Sequence, residues 1–128
     1  MEYTTIIVML ALLQYMYFTV KVGAARGKYD IKAPACTGND TFERIFRIHQ
    51  NTCEQIIIFI PAIYGFSYYI NPVAGSCIGI FYIIGRFAYY NAYLEDPARR
   101  GPGMLMTFIT NGVLVLGTTI GVIIRLLP

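Results

Sequence analysis

Charge is what this sequence has least of. Only 13% of its 128 residues are Asp, Glu, Lys or Arg, against about 25% in ordinary soluble domains. Histidine occurs once, at His49, and Cys36, Cys53 and Cys77 form no C-x-x-C pair. Neither a zinc site nor a disulfide framework is indicated, and no metal is expected. Cys53 and Cys77 read as small apolar fillers, and Cys36 as a loop thiol. No Lys or Arg precedes the first apolar run, which removes the basic lead of a signal peptide. A basic tract is missing too. The net charge is +3, but the cations lie beside apolar segments, which argues against a nucleic-acid partner.

What is present is apolar. Hydrophobic residues make up 56% of the chain, and mean hydropathy is +0.55. A transmembrane helix needs about 20 apolar residues at about 1.5 Å each. Four segments meet or approach that requirement, at about residues 3–22, 41–70, 73–94 and 103–125. The expected fold is all-α, an integral membrane four-helix bundle forming a single domain over residues 1–128. Lys21 to Pro34 reads as a basic, turn-rich connection, with Asp40 or Thr41 capping the second helix. Pro61 should kink that helix without ending it. Asn71-Pro72 is a tight break, and Glu95 to Gly103 reads as a second polar loop. Gly75 and Gly79 have the small-residue spacing that lets membrane helices approach closely.

Lys and Arg concentrate in the first connection (Lys21, Arg26, Lys28, Lys32) and in the third (Arg99, Arg100). The positive-inside rule then puts both in the cytoplasm and both termini opposite. The Asn39-Asp40-Thr41 sequon would lie on the cytoplasmic side and stay silent.

One stretch departs from the apolar pattern. Arg44, Arg47, Asn51 and Glu54 precede the run Gln55-Ile56-Ile57-Ile58-Phe59-Ile60 and fall within an arc of about 80° on a helix. Snorkelling explains arginines at a membrane mouth. It does not explain an amide and a carboxylate on the same stripe, where ionisable groups usually serve a site. Tyr82, Arg86, Tyr89 and Tyr93 share one face of the third helix. An aromatic interfacial belt accounts better for Tyr3, Tyr82 and Tyr90 than for the tyrosines beside Arg86. Arg86 should require a carboxylate or carbonyl partner. Topology gathers Arg26, Arg44, Arg47, Asn51, Glu54, Tyr89, Tyr93 and Arg100 at one end of the bundle. That set suits a ligand carrying both carboxylates and an ammonium: arginines clamp the carboxylates and Glu54 takes the amine. His49 points about 140° from Arg44 and reads as a hydrogen-bonding partner to another helix or subunit rather than a base.

The pattern Phe42-Glu43-Arg44-x-x-Arg47-x-His49-x-Asn51-x-x-Glu54, followed by Gly85-Arg86-x-x-Tyr89-x-x-x-Tyr93, resembles the membrane-associated proteins in eicosanoid and glutathione metabolism. That family includes microsomal glutathione transferases and the leukotriene and prostaglandin E synthases, and the resemblance covers essentially the whole chain. It implies a homotrimer with glutathione, the co-substrate, bound between neighbouring subunits near the cytoplasmic face. Arg26, Arg47, Asn51, Glu54, Tyr89, Tyr93 and Arg100 match glutathione-binding positions. Arg100 matches the arginine that activates the thiol, with Tyr93 beside it. Arg44, His49 and Arg86 are left as structural polar residues. Gln50 stands where the prostaglandin synthase-like branch has arginine, and Gln55 where the leukotriene synthase-like branch has tyrosine. The implied function is a membrane glutathione S-transferase, with peroxidase activity a further expectation. Its partners would be a lipophilic second substrate from the bilayer and lipids. A bacterial inner membrane is favoured over endoplasmic reticulum. The rival readings are a non-catalytic lipid- or partner-binding member and a small four-helix multidrug transporter. The transporter class relies on a carboxylate in its first helix, where this chain has only Gln14.

Overall fold

The computed structural model describes residues 1–128 as four long helices: α1 (Glu2–Tyr29), α2 (Asp40–Tyr69), α3 (Pro72–Glu95) and α4 (Gly101–Leu126). A single 3-10 turn, Pro97–Arg100, joins the last two.

The segment expected as a loop after Val20 is helical instead. α1 continues to Tyr29 and closes on Asp30, whose left-handed backbone (φ 52°, ψ 44°) returns its N–H to the Arg26 carbonyl. Gly23 and Gly27 weaken a helix by about 1 kcal/mol each, but no proline intervenes before Pro34. The α2 cap is Asn39, one residue earlier than expected; its side chain accepts from the Phe42 N–H at 3.1 Å. The helix passes through Pro61 without ending. Asn71 caps α3 by accepting from the N–H groups of Val73 and Ala74, with Pro72 in the first turn. The second polar loop is almost absent, because the 3-10 turn runs directly into α4.

Three helices are long and apolar enough to cross a membrane: α1, α3 and α4 with its preceding turn. The remaining helix, α2, has the length of a span but a more polar composition. Its 30 residues begin with a polar half, and Tyr64, Ser67, Tyr68 and Tyr69 dilute the apolar half.

The helices alternate in direction. Thr4 bonds Ser67 at 2.8 Å near one end, and Thr19 bonds His49 at 3.0 Å toward the other. α2 and α4 run parallel, with Thr118 donating to the Ala62 carbonyl and Asn111 to the Gln55 carbonyl. α2 and α3 form the middle of the bundle, and α1 and α4 each pack on both of them. The main core joins Val8, Ala11, Phe59, Ile63, Tyr82 and Leu114, with Phe59 and Tyr82 stacked at 4.0 Å. Lipid is as apolar as this core, so close packing and interhelical hydrogen bonds hold such bundles together. Gly79 illustrates the packing: a Cβ there would come within 2.7 Å of both Ile7 and Ile63.

Antiparallel succession puts the α1–α2 connection, the start of α2, the end of α3 and the turn into α4 at one end of the bundle. The polar cluster lies there.

Candidate functional site

The site is built outward from a wholly buried cation. Arg86 of α3 is 0% exposed, and its Nη1 donates to the Asn51 side-chain carbonyl of α2 at 2.8 Å. The partner is therefore a carbonyl, supplied by a side chain. Fixing that oxygen orients the Asn51 amide, which donates to Glu54 Oε2 at 3.3 Å. Glu54 Oε1 in turn accepts from Arg47 Nη1 at 3.4 Å, and Arg47 also reaches Gln50 Oε1 at 3.3 Å. The relay runs from the interior to the surface: the Arg47 and Glu54 side chains are 47% and 50% exposed. An exposed pair of this kind contributes at most about 1 kcal/mol to stability. Its two charges remain open to a ligand.

A second arm comes from α3. The Arg86 guanidinium lies 4.3 Å from the Tyr89 ring centre, and Tyr89 stacks on Tyr93 at 5.5 Å and 13°. Behind Tyr89, α4 comes so close that a Cβ on Gly103 would sit 2.7 Å from the Tyr89 Cα. This contact fixes the corner that carries Arg100. The neighbouring Arg99 pairs with Glu95 at 3.5 Å, whereas Arg100 is exposed and has no hydrogen-bond or ion-pair partner.

Three further polar residues make their contacts outside this relay. Arg44 donates to the carbonyls of Leu94 and Glu95, satisfying the end of α3. His49 is hydrogen-bonded to Thr19 and stacked on Tyr15 at 4.7 Å, which ties α2 to α1. Arg26 lies over the Phe42 ring and donates to the carbonyls of Ala35 at 2.7 Å and Ile31 at 3.4 Å. It braces its own connection, and no hydrogen bond or ion pair joins it to Arg47 or Glu54.

Tyr82 and Tyr90 are buried in the bundle rather than placed on its surface as a belt would require, while Tyr3 is 64% exposed. Cys77 is exposed rather than a core filler. Sequence reasoning did not find the polar interior around Arg86: Gln14, whose amide donates to the Ile83 carbonyl, and Asn111, which reaches Gln55. Their amide side chains inside apolar helices were the available signal. An apolar groove of about 500 Å³ between α3 and α4 opens at Pro102, next to the Arg100 corner, and descends past Met106 to Phe81 and Val113.

An all-helical bundle with apolar spans and a two-armed polar cluster at one end defines a membrane protein. The MAPEG family pattern matches residues 4–120, and the chain belongs to that family. Human microsomal glutathione S-transferase 2 is 40% identical over 108 residues, covering 84% of this chain and 71% of the relative. An uncharacterised protein of Synechocystis is 32% identical over 121 residues, covering 94% and 88%. Rat leukotriene C4 synthase is 25% identical over 122 residues, covering 95% and 81%.

Proposed function

We infer that the chain is a membrane glutathione S-transferase. The observation that carries this reading is the Arg86–Asn51–Glu54–Arg47 relay, which ends in an open carboxylate and an open guanidinium at the end of the bundle that also carries Arg100. The likeness to microsomal glutathione S-transferase 2 supports it.

In this reading Glu54 takes the tripeptide's ammonium, Arg47 takes a carboxylate, and Asn51 and Tyr89 hold polar groups between them. The thiol, with an ordinary pKa near ~8.5, lies toward Arg100 and Tyr93. A neighbouring guanidinium favours the thiolate, and each unit of lowered pKa corresponds to about 1.4 kcal/mol. Tyr93 donates a hydrogen bond to the sulfur. The thiolate then attacks an electrophilic carbon, forming the C–S bond as the leaving group departs with its electron pair. The same thiolate can reduce a lipid hydroperoxide: sulfur attacks the distal peroxide oxygen, an alcohol leaves, and a second glutathione resolves the sulfenate to disulfide and water. The α3–α4 groove offers a lipophilic substrate an apolar surface beside Arg100.

The functional unit in this reading is a homotrimer with glutathione between subunits. Arg26, occupied within its own chain, would reach glutathione only in the site of a neighbouring subunit. The basic end faces the cytoplasm under the positive-inside rule, and a bacterial inner membrane is the favoured location.

The test is purified, detergent-solubilised protein given glutathione and an aryl halide, then a lipid hydroperoxide. Conjugate formation is expected, with the thiolate visible by its ultraviolet absorbance on binding. Absence of both glutathione binding and conjugation would overturn the reading and favour a non-catalytic member.

A further inference from the structure

The continuation of α1 to Tyr29 gives the basic segment a fixed geometry. Lys21 and Lys28 are two helical turns apart on one face, about 10.5 Å along the axis. They stand at the two ends of a groove of about 280 Å³ between α1, α2 and α3. Its lining includes Ala24, Ile45, Tyr90 and Leu94, and no carboxylate. Neither lysine makes a salt bridge, since the ion pairs of the chain are Met1–Glu2, Arg47–Glu54 and Arg99–Glu95. Their ammonium groups instead lie over tyrosine rings, Lys21 at 5.2 Å from Tyr17 and Lys28 at 5.3 Å from Tyr29.

Depth identifies the occupant. Lys21 directly follows the apolar run Tyr3–Val20, so the groove starts where the hydrocarbon ends and runs outward. The headgroup layer on each side of a bilayer is about 5–8 Å thick, so the step of about 10.5 Å from Lys21 to Lys28 carries the groove from the hydrocarbon edge through that layer. Basic pockets between membrane helices at this level take anionic lipid headgroups. We propose that this groove binds an anionic membrane phospholipid, its phosphate between Lys21 and Lys28. The Thr41 and Tyr90 hydroxyls offer donors to the same phosphate. The glycerol and upper acyl chain lie along Ala24, Ile45 and Leu94. A soluble phosphate would leave that apolar lining in water, and a zwitterionic lipid would bring its own cation to two unpaired ones. The site is separate from the Arg47–Arg100 end of the polar cluster and does not depend on the proposed activity.

The experiment is native mass spectrometry of the full-length protein titrated with phosphatidylglycerol, with phosphatidylcholine of the same acyl chains, and with inorganic phosphate. Phosphatidylglycerol should be retained about thirtyfold more strongly than phosphatidylcholine, as two cations at about 1 kcal/mol each would give. The double variant Lys21→Gln/Lys28→Gln should abolish the preference, and Lys32→Gln, in the connection outside the groove, should preserve it. Ala24→Trp fills the groove with both lysines intact and should also displace the lipid. Equal retention of the two lipids, a preference that survives either groove variant, or displacement by inorganic phosphate at matching concentration would each overturn the proposal.

Discussion

The Arg86 guanidinium meets the Asn51 side-chain carbonyl at 2.8 Å with both residues buried. A full positive charge inside the bundle is thus held by a neutral group, and the nearest carboxylate, Glu54, is reached only through that group.

Removing one partner and removing the charge should therefore differ in sign or size. Asn51→Leu leaves a buried guanidinium without its acceptor and should cost about 3–5 kcal/mol. Arg86→Met removes the charge with similar volume and strands only the neutral Asn51 carbonyl, so it should cost less, about 1–3 kcal/mol. Denaturation midpoints in detergent would rank the two variants; equal losses would mean that the pair does not behave as a charge and its acceptor.

Arg100→Ala should reduce turnover by about tenfold for each pKa unit of lost thiolate stabilisation, with glutathione binding little changed. Steady-state kinetics together with the thiolate absorbance separates the two quantities. Unchanged turnover would remove Arg100 from the chemistry.

Glu54→Gln keeps an acceptor for Asn51 but discards the charge offered to an ammonium. Glutathione affinity should fall by about 1.5–3 kcal/mol, the worth of a charge-assisted hydrogen bond, while the fold persists. Calorimetric titration reads this directly, and undiminished affinity would make the Arg47–Glu54 pair purely structural.

Gly103→Ala forces α4 away from Tyr89, since even a methyl group overlaps the α3 backbone there. Overpacking of this kind costs about 1–3 kcal/mol. The corner carrying Arg100 should shift as well, so turnover should drop alongside the denaturation midpoint. Gly101→Ala, two residues earlier with open space around it, should leave both unchanged.

Much of this was legible because a helix converts spacing into direction. The stripe of Arg44, Arg47, Asn51 and Glu54 lies on one helix as its spacing requires, and Arg86, Tyr89 and Tyr93 share a face of another. Which of these residues touch one another was not legible. Arg44 and Arg47 are one turn apart, yet one reaches the carbonyls that end α3 and the other reaches Glu54, a choice made by the neighbouring helix. Arg99 and Arg100 diverge similarly through the 3-10 turn. The helical stretch after Val20 was misread because polarity and glycine signal a loop in water, whereas at a membrane surface a helix emerging from lipid simply continues.

The Asn39 cap bears on how the chain's orientation can be measured. Its side-chain oxygen holds the Phe42 N–H, and Asp40 and Thr41 already belong to the first turn of α2. An oligosaccharyltransferase needs its acceptor tripeptide extended and free, so this sequon is closed by helix formation on whichever side of the bilayer it lies. Glycan mapping of topology in a eukaryotic host therefore requires acceptor sites placed beyond the helix ends, such as after Pro128, where attachment reports the compartment rather than the fold.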